Sequence, residues 1–178
     1  MTGLVKDILL QVKYIPRALI FALFLIPLYI IIKDNERDIL KVKYFSILKK
    51  TTTSIFLLYL SYILVSTLFT RSITIPYQNI FNDFGLFIDG KLNLECVENI
   101  IIFIPYTFLF LLAHKPLSPW KSVFLLSLAT SLFVEFSQLI FWLGEFQLSD
   151  LFHNILGGML GCCLWYVFMI IIHIIKKN

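Results

Sequence analysis

The sequence predicts an all-α, polytopic membrane protein: a bundle of about five transmembrane helices with a four-helix core. Three observations carry this. Of the 178 residues, 59% are hydrophobic, and the mean hydropathy is strongly positive, outside the range of soluble domains. The apolar residues fall into five segments, each near the roughly 20 residues that a helix needs to cross a bilayer. The charged residues gather in the short stretches between those segments.

Taken in order, "MTGLVKDILLQVKY" reads as a short interfacial amphipathic helix. The first apolar segment, about 15–32, carries Arg17 near one end and Pro27 inside, so it is expected to kink or to re-enter on the same side. Its basic flank resembles a signal peptide, but it runs into "YIIIKDNERD" with no small-residue cleavage site, and it reads as a retained segment. Residues 1–50 thus form an N-terminal part: interfacial helix, membrane segment and basic loop. Residues 51–178 form the four-helix domain, with spans expected at about 54–70, 97–113, 121–142 and 153–175.

Charge sets the expected orientation. Lys33, Arg37, Lys41, Lys43, Lys49, Lys50, Lys115, Lys121, Lys176 and Lys177 fall in the 33–50 and 114–121 loops and the C-terminus, ten of the fifteen basic residues. Lys6, Lys13, Arg17, Arg71 and Lys91 fall on the other side. The positive-inside rule then places the C-terminus in the cytoplasm and the N-terminus outside. A re-entrant first segment would move only the N-terminus. The net charge of +4 has this explanation and does not call for nucleic acid. Three cysteines, an odd count in no zinc spacing, argue against a disulfide framework, and Cys162 and Cys163 read as small packing residues. No cofactor and no metal site is expected.

With that orientation, the polar residues inside the spans converge on one side. Arg71 ends the second segment, and Glu98 and Asn99 open the third. Glu135 and Gln138 lie in the outer half of the fourth, three apart and on one face; Asp150, His153 and Asn154 start the fifth and also share a face. These residues are expected to form an outward-facing polar pocket with Glu135 as its deepest acid. A carboxylate at the bilayer centre costs roughly 2.5–3.5 kcal/mol on insertion scales, so an intramembrane acid is a functional candidate by default. Plainer readings stand beside this one. Ser149 or Asp150 could cap a helix. Asn99 and Asn154 could bridge helices, and His153 reads as a helix-start or interface residue rather than a metal ligand. Gly157 and Gly161, at small-xxx-small spacing, read as a close-packing face inside one subunit rather than a dimer contact; a homo-oligomer is not indicated. Pro105 frees a backbone carbonyl near mid-membrane and is expected to bend its helix.

Three motifs in order resemble the VanZ-like family of bacterial membrane proteins: Asn99-x-x-x-Phe103-x-Pro105, Glu135-x-x-Gln138 and Asp150-x-x-x-Asn154-x-x-Gly157-x-x-x-Gly161. The resemblance covers roughly residues 71–165 and leaves 1–50 outside. Thr107 stands where that family usually has glycine. The resemblance implies a bacterial cell-envelope protein linked to glycopeptide resistance, teicoplanin above all. Besides membrane lipids, its expected partner is a lipid-linked cell-wall precursor or the glycopeptide itself, held by Arg71, Glu98, Asn99, Glu135, Gln138, Asp150, His153 and Asn154. Two other classes stay open. One is an intramembrane enzyme with Glu135 as acid and Asp150 as base, although no activated nucleophile accompanies them. The other is a small proton-coupled transporter, which lacks the expected inverted repeats.

Overall fold

The computed structural model describes residues 43–68, 73, 85, 87–88, 91–144 and 146–177. Among them are four helices, each long and apolar enough to cross a membrane: α1 (Lys43–Leu68), α2 (Leu94–His114), α3 (Pro119–Ile140) and α4 (Leu148–Lys177). The segment at 15–32, the amphipathic start and Arg71 lie outside the described residues. The chain divides into two units, Met1–Arg71 and Ser72–Asn178.

In the first unit, α1 carries hydroxyl side chains through an apolar span by turning them onto its own backbone. Thr53 Oγ1 donates to Lys49 O (2.8 Å), Ser61 Oγ to Leu57 O (2.7 Å) and Thr67 Oγ1 to Ile63 O (2.8 Å). Each hydroxyl is thereby satisfied without water, which a membrane interior requires.

The second unit opens with a small antiparallel ladder, β1 (Phe87–Ile88) against β2 (Lys91–Leu92), pairing Phe87 with Leu92 and Ile88 with Lys91. Asp89-Gly90 separates the strands in sequence, the dipeptide favoured in two-residue hairpins. The fold remains all-helical apart from this ladder, whose two residues per strand are too few to show an alternating pattern in the sequence. Asn93 then joins the ladder to α2: its Oδ1 caps the Cys96 N–H (3.4 Å), and its Nδ2 donates to Gly85 O (3.3 Å).

The helix α2 has 21 residues, about 31 Å at the α-helical rise, enough for the hydrocarbon core. It runs through Pro105 from Leu94 to His114 and ends with Lys115 in the left-handed region (φ 43°), followed by Pro116. Pro119 occupies the first turn of α3, where its missing N–H costs nothing.

Packing fixes the directions. Gly157 and Gly161 of α4 lie against the backbone carbonyls of Ile100 and Ile104, in ascending order on both helices, so α2 and α4 are parallel. Ser131 pairs with Asn154, Ser127 with Gly158, and Trp120 stacks on Tyr166, so α3 is antiparallel to α4. The N-terminal ends of α2 and α4 and the C-terminal end of α3 therefore share one end of the unit. Toward the other end lies an apolar cluster of Leu111, Val123, Cys162 and Trp165.

Candidate functional site

At the shared end, Glu135 and Gln138 on the last turns of α3 are 2% and 1% exposed. Asp150, His153 and Asn154, on the first two turns of α4, are buried as well, as is Ser149. Glu98 and Asn99 are half-buried near the start of α2. The structure thus brings Glu135, Gln138, Asp150, His153 and Asn154 to one end of the unit, with Glu98 and Asn99 on the neighbouring helix at that end. Asp150 is within electrostatic reach of Cys96 in the first turn of α2, so the heads of the two parallel helices are neighbours.

The deepest contact explains how an acid is accommodated here. Glu135 Oε2 accepts a hydrogen bond from the Gln147 backbone N–H at 2.9 Å. Gln147 immediately precedes Leu148, the first residue of α4. One of the N–H groups that a helix start leaves free is therefore satisfied by a side chain from the preceding helix, and the carboxylate faces the positive end of the α4 dipole. The sequence suggested Ser149 or Asp150 as the cap. The helix starts earlier, so both lie inside its first turn and Gln147 holds the cap position. The span expected from about 153 is helical from Leu148, so the helix takes in Ser149 and Asp150 ahead of the apolar run.

The connector is tight. Trp142 N–H donates to Leu139 O (3.4 Å) and Leu143 N–H to Gln138 O (2.8 Å), with Trp142 in the left-handed region at φ 58°. This is a Schellman ending with tryptophan at the position glycine normally holds. It returns the chain so that Gln147 reaches Glu135.

Further polar contacts continue inward. Asn154 Nδ2 donates to Ser131 Oγ at 2.8 Å, both buried. Tyr106 and Thr130 share a hydroxyl–hydroxyl bond of 2.8 Å between α2 and α3. Thr107 Oγ1 donates to Gly158 O at 2.9 Å, joining α2 to α4. A Cβ on Gly157 would meet the Ile100 backbone, and one on Gly161 would meet Ile104 O and Thr107 Oγ1. Gly158, not singled out from sequence, faces Ser127 Oγ and Thr107 instead. Ser127 and Ser131 also escaped notice, though the spacing Ser127, Ser131, Glu135, Gln138 is a helical stripe readable in the sequence. Among the described residues, no group of three His, Cys, Asp or Glu side chains stands ready to hold a metal ion.

Membrane-length helices packed through glycines, with buried acids and amides at one end, define a small polytopic helical membrane protein. The chain matches the model of the VanZ/LLP1 family over residues 19–170 and belongs to that family. The match reaches well beyond the 71–165 region of the three motifs, into the part of the chain expected to lie outside it. No curated protein and no solved structure matches the chain.

Proposed function

We propose that this VanZ-family protein serves the bacterial cell envelope and contributes to teicoplanin-type glycopeptide resistance. It does so by binding a lipid-linked cell-wall intermediate or the lipoglycopeptide at the outer leaflet. The observation that carries this reading is the asymmetry of the second unit. Acids and amides from three helices collect at one end, while Leu111, Val123, Cys162 and Trp165 close the other half with apolar side chains. Such a layer favours holding a ligand at one face over passing it across.

The positive-inside count turns the polar end outward, where precursors and glycopeptides meet. Glu98 and Asn99, half-buried, would meet a head group first. Asp150, His153 and Asn154 would supply hydrogen bonds behind them, and lipid-facing helix surfaces would take the chain. The test is purified protein in nanodiscs with a fluorescent lipid-linked precursor and a fluorescent lipoglycopeptide. Saturable binding weakened by Asp150→Asn supports the reading, and binding to neither probe overturns it. Conversion of the precursor to product would make the same cluster catalytic instead.

A further inference from the structure

Two buried side-chain atoms between α3 and α4 have no hydrogen-bond partner in the protein, and they belong to one seam. Asn154 gives its amide nitrogen to Ser131 Oγ, and its Oδ1 is left over. Ser127 Oγ is the other. Ser127 precedes Ser131 by one helical turn, and Gly158, which lies against Ser127 Oγ, follows Asn154 by one turn. The two orphaned atoms are therefore about a turn apart along a single helix–helix contact. Ser127 and Ser131 are 0% exposed and Asn154 is 6% exposed, so bulk solvent does not reach them.

Buried polar groups in folded proteins are almost always bonded, and where no protein partner exists an ordered water takes the role. The groups here suit one. Asn154 Oδ1 only accepts, Ser131 Oγ accepts from Asn154 and has its own O–H to give, and the Ser127 hydroxyl can do either. A water with about three partners is the usual buried case. All three side chains are neutral, so the chemistry asks for a neutral ligand. Gly158 lets the Ser127 hydroxyl reach the face of α4 between the helices, since a Cβ there would fall on Ser127 Oγ.

We propose that this seam is a binding site for a water molecule bridging Asn154 Oδ1, Ser131 and Ser127. It carries the polar stripe of α3 two turns inward from Glu135 and stops at the apolar layer of Val123, Leu111 and Cys162. This does not depend on the ligand proposed for the outer cluster.

Thermal unfolding of the purified full chain with Ser127→Ala, Asn154→Ala and the pair tests it. With a bridging water, Ser127→Ala removes one of its partners and lowers the midpoint by about 2–4 °C. The two substitutions are then non-additive, although the side chains share no direct bond. In a dry seam the sign reverses: removing an unsatisfied buried hydroxyl raises the midpoint or leaves it unchanged, and that result overturns the proposal. An experimental density map of the unsubstituted protein gives a reading that no variant's folding can confuse. Density is expected at about 2.7–3.2 Å from Asn154 Oδ1 and from a serine hydroxyl; ordered side chains with nothing between them overturn the site.

Discussion

Glu135 on α3 and the backbone of Gln147 at the head of α4 are joined by a 2.9 Å hydrogen bond. An intramembrane acid, expensive to bury, here completes the start of the next helix. This structural role is separable by substitution from the functional one proposed for Glu135, because only the latter needs the ionisable group.

Glu135→Gln keeps an oxygen that can accept the Gln147 N–H, so the membrane level and thermal midpoint should stay close to the parent. Glu135→Leu removes the acceptor and leaves that N–H unsatisfied, at a cost of about 1–3 kcal/mol, read as a lower midpoint in detergent. On the proposed function, Glu135→Gln and Asp150→Asn should both abolish any resistance phenotype in a susceptible host, at normal protein level. Glu98→Gln should have a smaller effect, because a more exposed charge is better screened. Full resistance with Glu135→Gln would reduce this residue to the helix cap.

The three packed glycines should not respond alike. At Gly157 and Gly161 an added Cβ meets backbone of Ile100 and Ile104, which cannot move without shifting α2. At Gly158 the nearest atoms are all side chain, from Ser127 and Thr107. Alanine at either of the first two should therefore lower the midpoint more than alanine at Gly158, and leucine should block folding. Equal midpoints for Gly157→Ala and the parent would mean that α2 and α4 do not pack as described.

Trp142 occupies a left-handed conformation (φ 58°) that β-branched residues resist and asparagine tolerates. Trp142→Val should destabilise the α3–α4 connector by about 1–2 kcal/mol, while Trp142→Asn should cost less. Thermal midpoints of the two variants decide it; valine equal to or better than asparagine would show that this backbone is not what the connector depends on.

For orientation, single cysteines at Asn82 and Lys43 in a cysteine-free background should label oppositely with an impermeant thiol reagent on intact cells. Asn82→Cys should react and Lys43→Cys should not. The reverse pattern would turn the polar end to the cytoplasm and remove the basis for extracellular precursors as ligands.

Much of the site could be read along the chain, and the gaps have physical causes. Glu135, Gln138, Asp150, His153 and Asn154 stand out because polar groups in apolar runs are conspicuous wherever the helices lie. Ser127, Ser131 and Thr107 are small and common in membrane helices, so nothing in their immediate neighbours separates a serine bonded to its own helix, as Ser61 is, from one that meets another helix, as Ser131 does.

By itself the sequence determined the membrane class, the four described spans and the placing of polar residues near the span ends. All three follow from hydropathy and spacing, which are one-dimensional properties. Tertiary structure alone decided the partners. Gly157 and Gly158 are adjacent, yet one meets the backbone of α2 and the other the side chain of Ser127, because successive residues point about 100° apart around a helix. Which neighbour fills each direction depends on the axial offset and rotation of all three helices together. Those are set by where backbones can approach most closely, and that same registry delivers Gln147 to Glu135 and Asn154 to Ser131.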